Sequence, residues 1–185
     1  MIYLNDRIFD FDFETALAEL SDQRREQALR FKHELGQRTC VAAYLLLCEG
    51  LQKEYGITDK PVFDYGEHGK PFIMGHPEIH FNLSHCREAA ICIIADHPVG
   101  IDIESIREFK PTLVDYTMNE EEVFRIYQAE RSDIEFIKLW TQKEAVLKLS
   151  GEGISRDMKQ VLHNPPASLT TVVSADFRYI YSYCY

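Results

Sequence analysis

Apolar and polar positions recur with two different periods along this chain, and each change of period marks an element. Ile2 to Phe9 reads as a first strand, and Phe11 to Phe31 as one or two helices with Ser21 as an N-cap. Leu35 to Tyr55 has helical spacing, ended by Gly56. Its apolar residues Val41, Leu45, Leu46, Cys48 and Leu51 cover so much of the circumference that the helix should lie buried between layers. Between Pro61 and His80, five glycines and prolines crowd into turns or a hairpin. Phe81 to His85 alternates, with Phe81 and Leu83 on one face, Asn82 and Ser84 on the other, and His85 at the turn beyond. Ala89 to Ala95 and Val99 to Glu104 read as strands of a hairpin turning at His97-Pro98, the second with Val99, Ile101 and Ile103 facing one way and Asp102 and Glu104 the other.

Beyond this hairpin, Ser105 to Met118 has no clear period. Asn119 followed by Glu120, Glu121 and Glu122 has the pattern of a helix N-cap with acids in the first turn. A longer helix, capped by Ser132 or Asp133, runs to about Ser150 and is stopped by Gly151 and Gly153. Thr170 to Ala175 and Phe177 to Tyr183 close the chain as two strands turning at Asp176, with Tyr179, Tyr181, Tyr183 and Tyr185 on one packed face.

Composition narrows the function classes. The 185 residues suit one domain or two small halves sharing a core. A formal net charge of −10 argues against general nucleic-acid binding, which needs a positive field to displace counterions. Cys40, Cys48, Cys86, Cys92 and Cys184 form no C-x-x-C pair, and an odd number without an export signal after Met1 points to reduced thiols in the cytoplasm. The longest apolar run, Val41 to Cys48, is far short of the roughly 20 residues a membrane helix needs.

The candidate chemistry is carried by carboxylates. Glu144 and Lys148, at i and i+4, share one helix face, while Leu139, Val146 and Leu147 point elsewhere into packing. By themselves they are an ordinary surface ion pair. Asp102 and Glu104 repel each other on one strand face unless a cation lies between them. With Glu144 about forty residues on, they could supply a hard cation such as Mg²⁺ with oxygen ligands beside substrate phosphates. Any anionic ligand must be met locally, by the cluster Arg24, Arg25, Arg30, Lys32 and Arg38 or by Lys70, Lys143 and Lys148; the plain alternative is a solvated helix face. A nucleophilic Ser84-His85 dyad is excluded by alternation, which sends neighbouring strand side chains to opposite faces, and no G-x-S-x-G elbow is present.

Four segments in order, Gly69-Lys70-Pro71, Phe81-Asn82-Leu83-Ser84-His85, Gly100-Ile101-Asp102-Ile103-Glu104 and Trp140-Thr141-x-Lys143-Glu144-Ala145-x-x-Lys148, resemble the Sfp-type 4′-phosphopantetheinyl transferases. Gly151-Glu152-Gly153-Ile154 is similar to the family's ending of the last motif, whereas Cys86-Arg87 departs from the small residues usual after the histidine. The resemblance implies an α/β (α+β) fold of two similar halves about a pseudo-twofold axis. Residues 1–96 would bear coenzyme A contacts and 97–185 the metal site and catalytic helix, with the junction near Asp96 to Pro98. It implies Mg²⁺, or Mn²⁺ in its place, on Asp102, Glu104 and Glu144. Glu144 would also act as base, Lys148 would act on the leaving phosphate, and Arg38, Lys70, Ser84, His85 and Lys143 would hold coenzyme A as co-substrate. Glu120 or Glu121 would approach the site, and an apo acyl or peptidyl carrier protein would dock along Lys110 to Met118 on a monomer. The rival readings are a noncatalytic binder of coenzyme A or of a carrier, and a metal-dependent phosphohydrolase.

Overall fold

A computed structural model describes residues 1–151 and 157–185. From the N-terminus, β1 (Ile2–Asn5) leads to α1 (Phe13–Ala18), α2 (Asp22–Leu29) and α3 (Glu34–Tyr55). A hairpin of β2 (Phe63–Tyr65) and β3 (Pro71–Ile73) follows, then β4 (His80–His85) and β5 (Ala90–Ala95). The second half runs β6 (Gly100–Ser105), α4 (Pro111–Thr117), α5 (Glu120–Gln128), α6 (Ser132–Ser150), a 3-10 turn at Met158–Gln160, β7 (Thr170–Val173) and β8 (Tyr179–Cys184). The mixture of helix and sheet is the α+β class expected.

Two antiparallel three-stranded sheets result, ordered β1-β5-β4 and β6-β8-β7. Helix α3 packs on the first sheet and α6 on the second. The period of two in β5 divides its side chains between two cores. Ala90, Cys92 and Ile94 meet Val41, Ala43 and Leu47 of α3, while Ile91 and Ile93 meet Ile101, Ile103 and Tyr179 of the second sheet. Burial of each such isoleucine contributes roughly 1.5–3 kcal/mol, so the two halves are held together by the reverse face of β5.

The sheets abut at their edge strands, β4 and β6, through side chains in place of a backbone ladder. Asn82 Oδ1 accepts from Ile101 N at 3.1 Å, Ser84 Oγ accepts from Ile103 N at 3.3 Å, and Ser105 Oγ accepts from Arg87 N at 3.4 Å. The β5–β6 hairpin expected from the sequence does not form. Both edges of β5 are already paired, with β1 and β4, so β6 pairs along its whole length with β8, from Gly100 opposite Cys184 to Ser105 opposite Tyr179.

Local signals fared better. Ser21 Oγ accepts from Arg24 N to cap α2, and Gly56 ends α3 at φ 70°. Asn119 and Glu122 close a reciprocal capping box on α5. Three further expectations differ from the structure. The segment after Ser105 contains α4, started by Pro111, whose fixed φ suits a first helical position. The N-cap of α6 is Arg131, and neither Ser132 nor Asp133 caps it, Asp133 being held by Arg131 at 2.7 Å. His85 is the last residue of β4 rather than part of the turn. Helix α6 lies across the acid face of β6, burying Asp102 and leaving Glu104 partly exposed. The Gly153 stop and the Glu152-Gly153-Ile154 part of the motif ending lie outside the described residues.

Candidate functional site

The seam between the sheets places β4 and β6 side by side under α6, and three groups converge there. Lys148 Nζ lies 2.6 Å from Asp102 Oδ1 and 3.0 Å from Ser84 Oγ, and Ser84 Oγ itself donates to Asp102 Oδ1 at 2.9 Å. Asp102 Oδ2 is buried with no hydrogen-bond partner among the described residues. An orphaned carboxylate oxygen in a dry setting is costly, and a cation is the natural partner for it. Burial and the neighbouring Asp102 charge raise the Glu144 carboxyl above its usual range. The same two causes push Glu104 up to about 7, against the pull of Arg107 3.9 Å away. Glu104 and Glu144 therefore both sense the Asp102 charge, and the Lys148 ammonium opposes the rise in each. Among the described residues no three His, Cys, Asp or Glu side chains converge as a ready-made metal cage. The donor set fits a cation held by one or two carboxylates and completed by substrate oxygens and water, the usual arrangement for Mg²⁺.

A cleft of about 430 Å³ opens beside this group. Its walls are Arg24 and Gln27 of α2, Tyr65, His68 and Lys70 of the β2–β3 hairpin, Leu83 and His85 of β4, and Glu144 and Lys148 of α6. Among the described residues three cations, Arg24, Lys70 and Lys148, stand on this lining against the single carboxylate of Glu144, a local positive balance in an otherwise acidic protein. Lys70 Nζ donates to Leu149 O at 3.0 Å and Val99 O at 3.3 Å, so it ties the hairpin to the end of α6. Burial lowers its ammonium from the usual value. Burial, with Arg24 and Lys148 close by, drops His85 to about 4, and it presents a neutral imidazole edge-on to Phe31 at 5.8 Å. A second cavity of about 280 Å³ lies on the other side of Glu104, walled by Phe109, Leu113, Phe136, Ile137 and Trp140 with Arg107 and Lys110 at its rim.

The expected residues thus divide. Asp102, Glu144, Lys148, Lys70 and His85 come together, while Glu104 lines the second cavity. Ser84 is present but committed, its hydroxyl shared among Asp102, Lys148 and Ile103 N, so it is a hub between elements rather than a free phosphate donor. Arg38 does not line the cleft. It donates to Glu34 at 2.7 Å and Phe11 O at 3.0 Å, beneath the rings of Phe9, Phe11 and Phe13 at 5.2–5.5 Å. Lys143 is fully buried on the far side of α6, bonded to Glu122 Oε2 at 2.8 Å and Met158 O at 2.7 Å, and cannot hold a ligand in the cleft. Glu120 and Glu121 are exposed, and the inward acid is Glu122.

Arg24 was missed as an individual. The residue is 8% exposed, its guanidinium held by Gln27 at 2.8 Å and Cys40 O at 3.3 Å, with Nε left without a partner among the described residues. Its signal was the Ser21 cap, which fixes where α2 starts and so puts Arg24 and Gln27, at i and i+3, on one face.

Residues 98–183 match the family model described as the 4′-phosphopantetheinyl transferase superfamily. A 4′-phosphopantetheinyl transferase of Bacillus subtilis is 28% identical over 160 residues, which is 83% of this chain and 70% of the relative. The 4′-phosphopantetheinyl transferase psf-1 of Bacillus pumilus is 32% identical over 139 residues, 74% of this chain and 60% of the relative. The 4′-phosphopantetheinyl transferase HetI of a Nostoc species is 31% identical over 148 residues, 75% and 62% of the two chains. The chain spans between three fifths and seven tenths of the length of these relatives.

Proposed function

Because the chain belongs to the 4′-phosphopantetheinyl transferase superfamily and is an enzyme of that class, we propose that it transfers the phosphopantetheine arm of coenzyme A to a serine of an apo carrier protein. The serine hydroxyl oxygen bonds to the phosphorus that bears pantetheine, the pyrophosphate bond on its other side breaks, and 3′,5′-ADP leaves. The observation that carries this reading is the Asp102 carboxylate, with Oδ1 held by Lys148 and Ser84 and Oδ2 unsatisfied, beside a cleft whose cations are Arg24, Lys70 and Lys148.

Asp102, through Oδ2, with Glu104 or Glu144 as the second carboxylate, would hold Mg²⁺, which when bound supplies charge neutralisation at the pyrophosphate. The chain's own side chains do the rest. Arg24 and Lys70 bind phosphate oxygens and fix coenzyme A in line for attack. Glu144, whose carboxyl lies above the usual range, accepts the serine proton as general base. Lys148, one turn on along α6, neutralises the charge that builds on the departing phosphate. His85, uncharged, offers a hydrogen bond without adding to the positive field.

Two sheets, each covered by one long helix, support the reading of two similar halves, 1–96 and 97–185. Both walls of the cleft come from one chain, which supports action as a monomer. Five unpaired cysteines support a reducing cytoplasmic setting. The carrier would dock at α4, where Tyr116 is 77% exposed and Leu113 walls the cavity beside Glu104. Charged replacements of Leu113 and Tyr116 should raise KM for the carrier with coenzyme A affinity unchanged.

Mass spectrometry of an apo acyl carrier protein incubated with the protein, coenzyme A and Mg²⁺ tests the whole reading. The expected result is a gain of one phosphopantetheine, absent with EDTA and with Glu144→Ala. No gain on acyl or peptidyl carriers, despite coenzyme A binding, would leave a noncatalytic binder.

A further inference from the structure

Lys143 and Glu122 are buried, charged and outside the cleft, so the reaction as derived makes no use of them. Their bonds are nonetheless extensive. Glu122 Oε2 accepts from Lys143 Nζ at 2.8 Å and from Asn119 N at 2.8 Å, and Lys143 also donates to Met158 O. Asn119 returns a bond from its Oδ1 to Glu122 N at 2.9 Å and reaches Lys159 O through Nδ2 at 3.3 Å. The middle of α6 is thereby bolted to the start of α5 and to the 3-10 turn at Met158–Gln160.

Stability alone is a poor reason for such an arrangement. Taking two charges out of water costs about as much as their attraction returns, and an apolar pair of equal volume often serves as well or better. An ion pair closed by further hydrogen bonds supplies direction instead, since it is satisfied at one setting of the helix only. A rotation of α6 by about 10° would carry an atom about 6 Å from its axis through about 1 Å. Displacements of that size cost as much as ~100-fold in rate. Glu144 is the next residue along the helix, and Lys148 makes its 2.6 Å contact with Asp102 from just over one turn further on.

We propose that Lys143 and Glu122 are a positioning pair, fixing the rotation of α6 so that Glu144 and Lys148 point into the cleft at Asp102. Its catalytic meaning rests on the transferase reading above; its structural meaning does not.

Lys143→Ala alone strands the Glu122 charge and risks unfolding. The informative variant combines Lys143→Met with Glu122→Gln, which removes both charges, keeps the volume and leaves the bond to Asn119 N. Thermal melting establishes that it folds. Coenzyme A affinity should stay within about twofold, while kcat for transfer falls by about tenfold to a hundredfold with little change in KM. Reductive methylation followed by mass spectrometry should label Lys148 several-fold faster than in the unsubstituted protein, since the ammonium has lost its seat on Asp102. A folded double variant with unaltered kcat and unaltered Lys148 labelling would overturn the proposal. Should the unsubstituted protein transfer nothing to any carrier, the transferase reading fails, and the labelling comparison still decides whether the pair positions α6.

Discussion

Helices α3 and α6 do the same architectural job with opposite chemistry. Each covers one three-stranded sheet, and each seats itself through a glycine. In α3 the contact with the sheet is a nearly continuous apolar surface, Val41, Ala42, Ala43, Leu46, Leu47 and Leu51, and its buried polar links go elsewhere, the Tyr44 hydroxyl to Pro61 O at 2.9 Å and Cys40 O to the Arg24 guanidinium at 3.3 Å. In α6 the apolar residues are interrupted by polar ones, each with a defined partner: Thr141 on Ser182 at 2.8 Å, Lys143 on Glu122, Lys148 on Asp102. Apolar contacts hold a helix against a sheet and tolerate small slides. Directed bonds hold it at one rotation. The half that carries the reactive groups is the half built with directed bonds, and a reaction that depends on ångström placement gives the reason.

The glycines break this comparison most directly. A Cβ on Gly100 of β6 would lie 2.0 Å from Ala145 O and 2.5 Å from Leu149 N, backbone atoms of α6 that have no rotamer to escape into. On Gly50 of α3 it would lie 2.2 Å from Ile94 Cδ1 and 2.9 Å from Tyr3 Cε2, the ends of side chains that can move. Gly100→Ala should therefore cost more than about 3 kcal/mol in denaturant unfolding. It should also depress turnover by lifting Lys148 from Asp102. Gly50→Ala should cost about 1–3 kcal/mol, partly offset by roughly 1 kcal/mol of helix propensity, with turnover intact. Equal losses from the two would mean that the two seats are equivalent and the comparison empty.

A second contrast concerns pH, because the first sheet contributes His85 to the cleft and the second contributes Glu104 to the neighbouring cavity. His85 is depressed to about 4 by burial and by Arg24 and Lys148, so the folded chain refuses a proton that the unfolded chain accepts below about 6.5. Its contribution is present above 6.5 and lost as pH falls from there towards 4. At about 1.4 kcal/mol per pH unit the loss is up to about 3 kcal/mol. Guanidinium unfolding at pH 7 and pH 4 should show His85→Gln losing less stability on acidification than the unsubstituted protein, by up to that amount. Parallel losses would place His85 in contact with solvent rather than in a dry wall.

What the sequence disclosed and what it withheld follow from range. The Ser21 and Asn119 caps, the αL stop at Gly56, the two faces of β4 and the shared face of Glu144 and Lys148 are all set within a few residues, and all are present. The partner of β6 is not local. It is β8, about eighty residues on, selected because β5 has no edge left to offer, and alternation within β6 is the same whichever strand accepts it. Lys143 lies away from the cleft, and helix geometry alone is enough to say so. It precedes Lys148 by five residues, which on a 3.6-residue turn puts it roughly 140° around the helix. If Glu144 and Lys148 face the cleft, Lys143 does not. The choice of Arg24 over its neighbours Arg25, Arg30, Lys32 and Arg38 depends on how α2 rests on α3, where Cys40 O receives the guanidinium, and no spacing within α2 encodes that.

Glu104 gives the smaller effect, of opposite sign to that of His85. Burial, then the Asp102 carboxylate, raise it from 4.5 to about 7, so here the folded chain holds a proton that the unfolded chain releases. Its contribution is fully present below about 4.5 and is lost as pH rises through about 7. With its side chain 28% exposed, solvent screening reduces the loss to about 1–2 kcal/mol. A divalent cation bound among Asp102, Glu104 and Glu144 would remove the repulsion that causes the loss, and would do so only where Glu104 is ionised. Mg²⁺ should therefore raise the melting temperature clearly at pH 8 and little at pH 5. Glu104→Gln should melt higher than the unsubstituted protein at pH 8 without the ion and respond less to its addition. The same Mg²⁺ response at both pH values, undiminished in Glu104→Gln, would remove Glu104 from the cation site and leave Asp102 and Glu144 to hold it. The carboxylates of the cation site would then be two in number, and the polar seam along α6 would end at Asp102 instead of reaching across it to the second cavity.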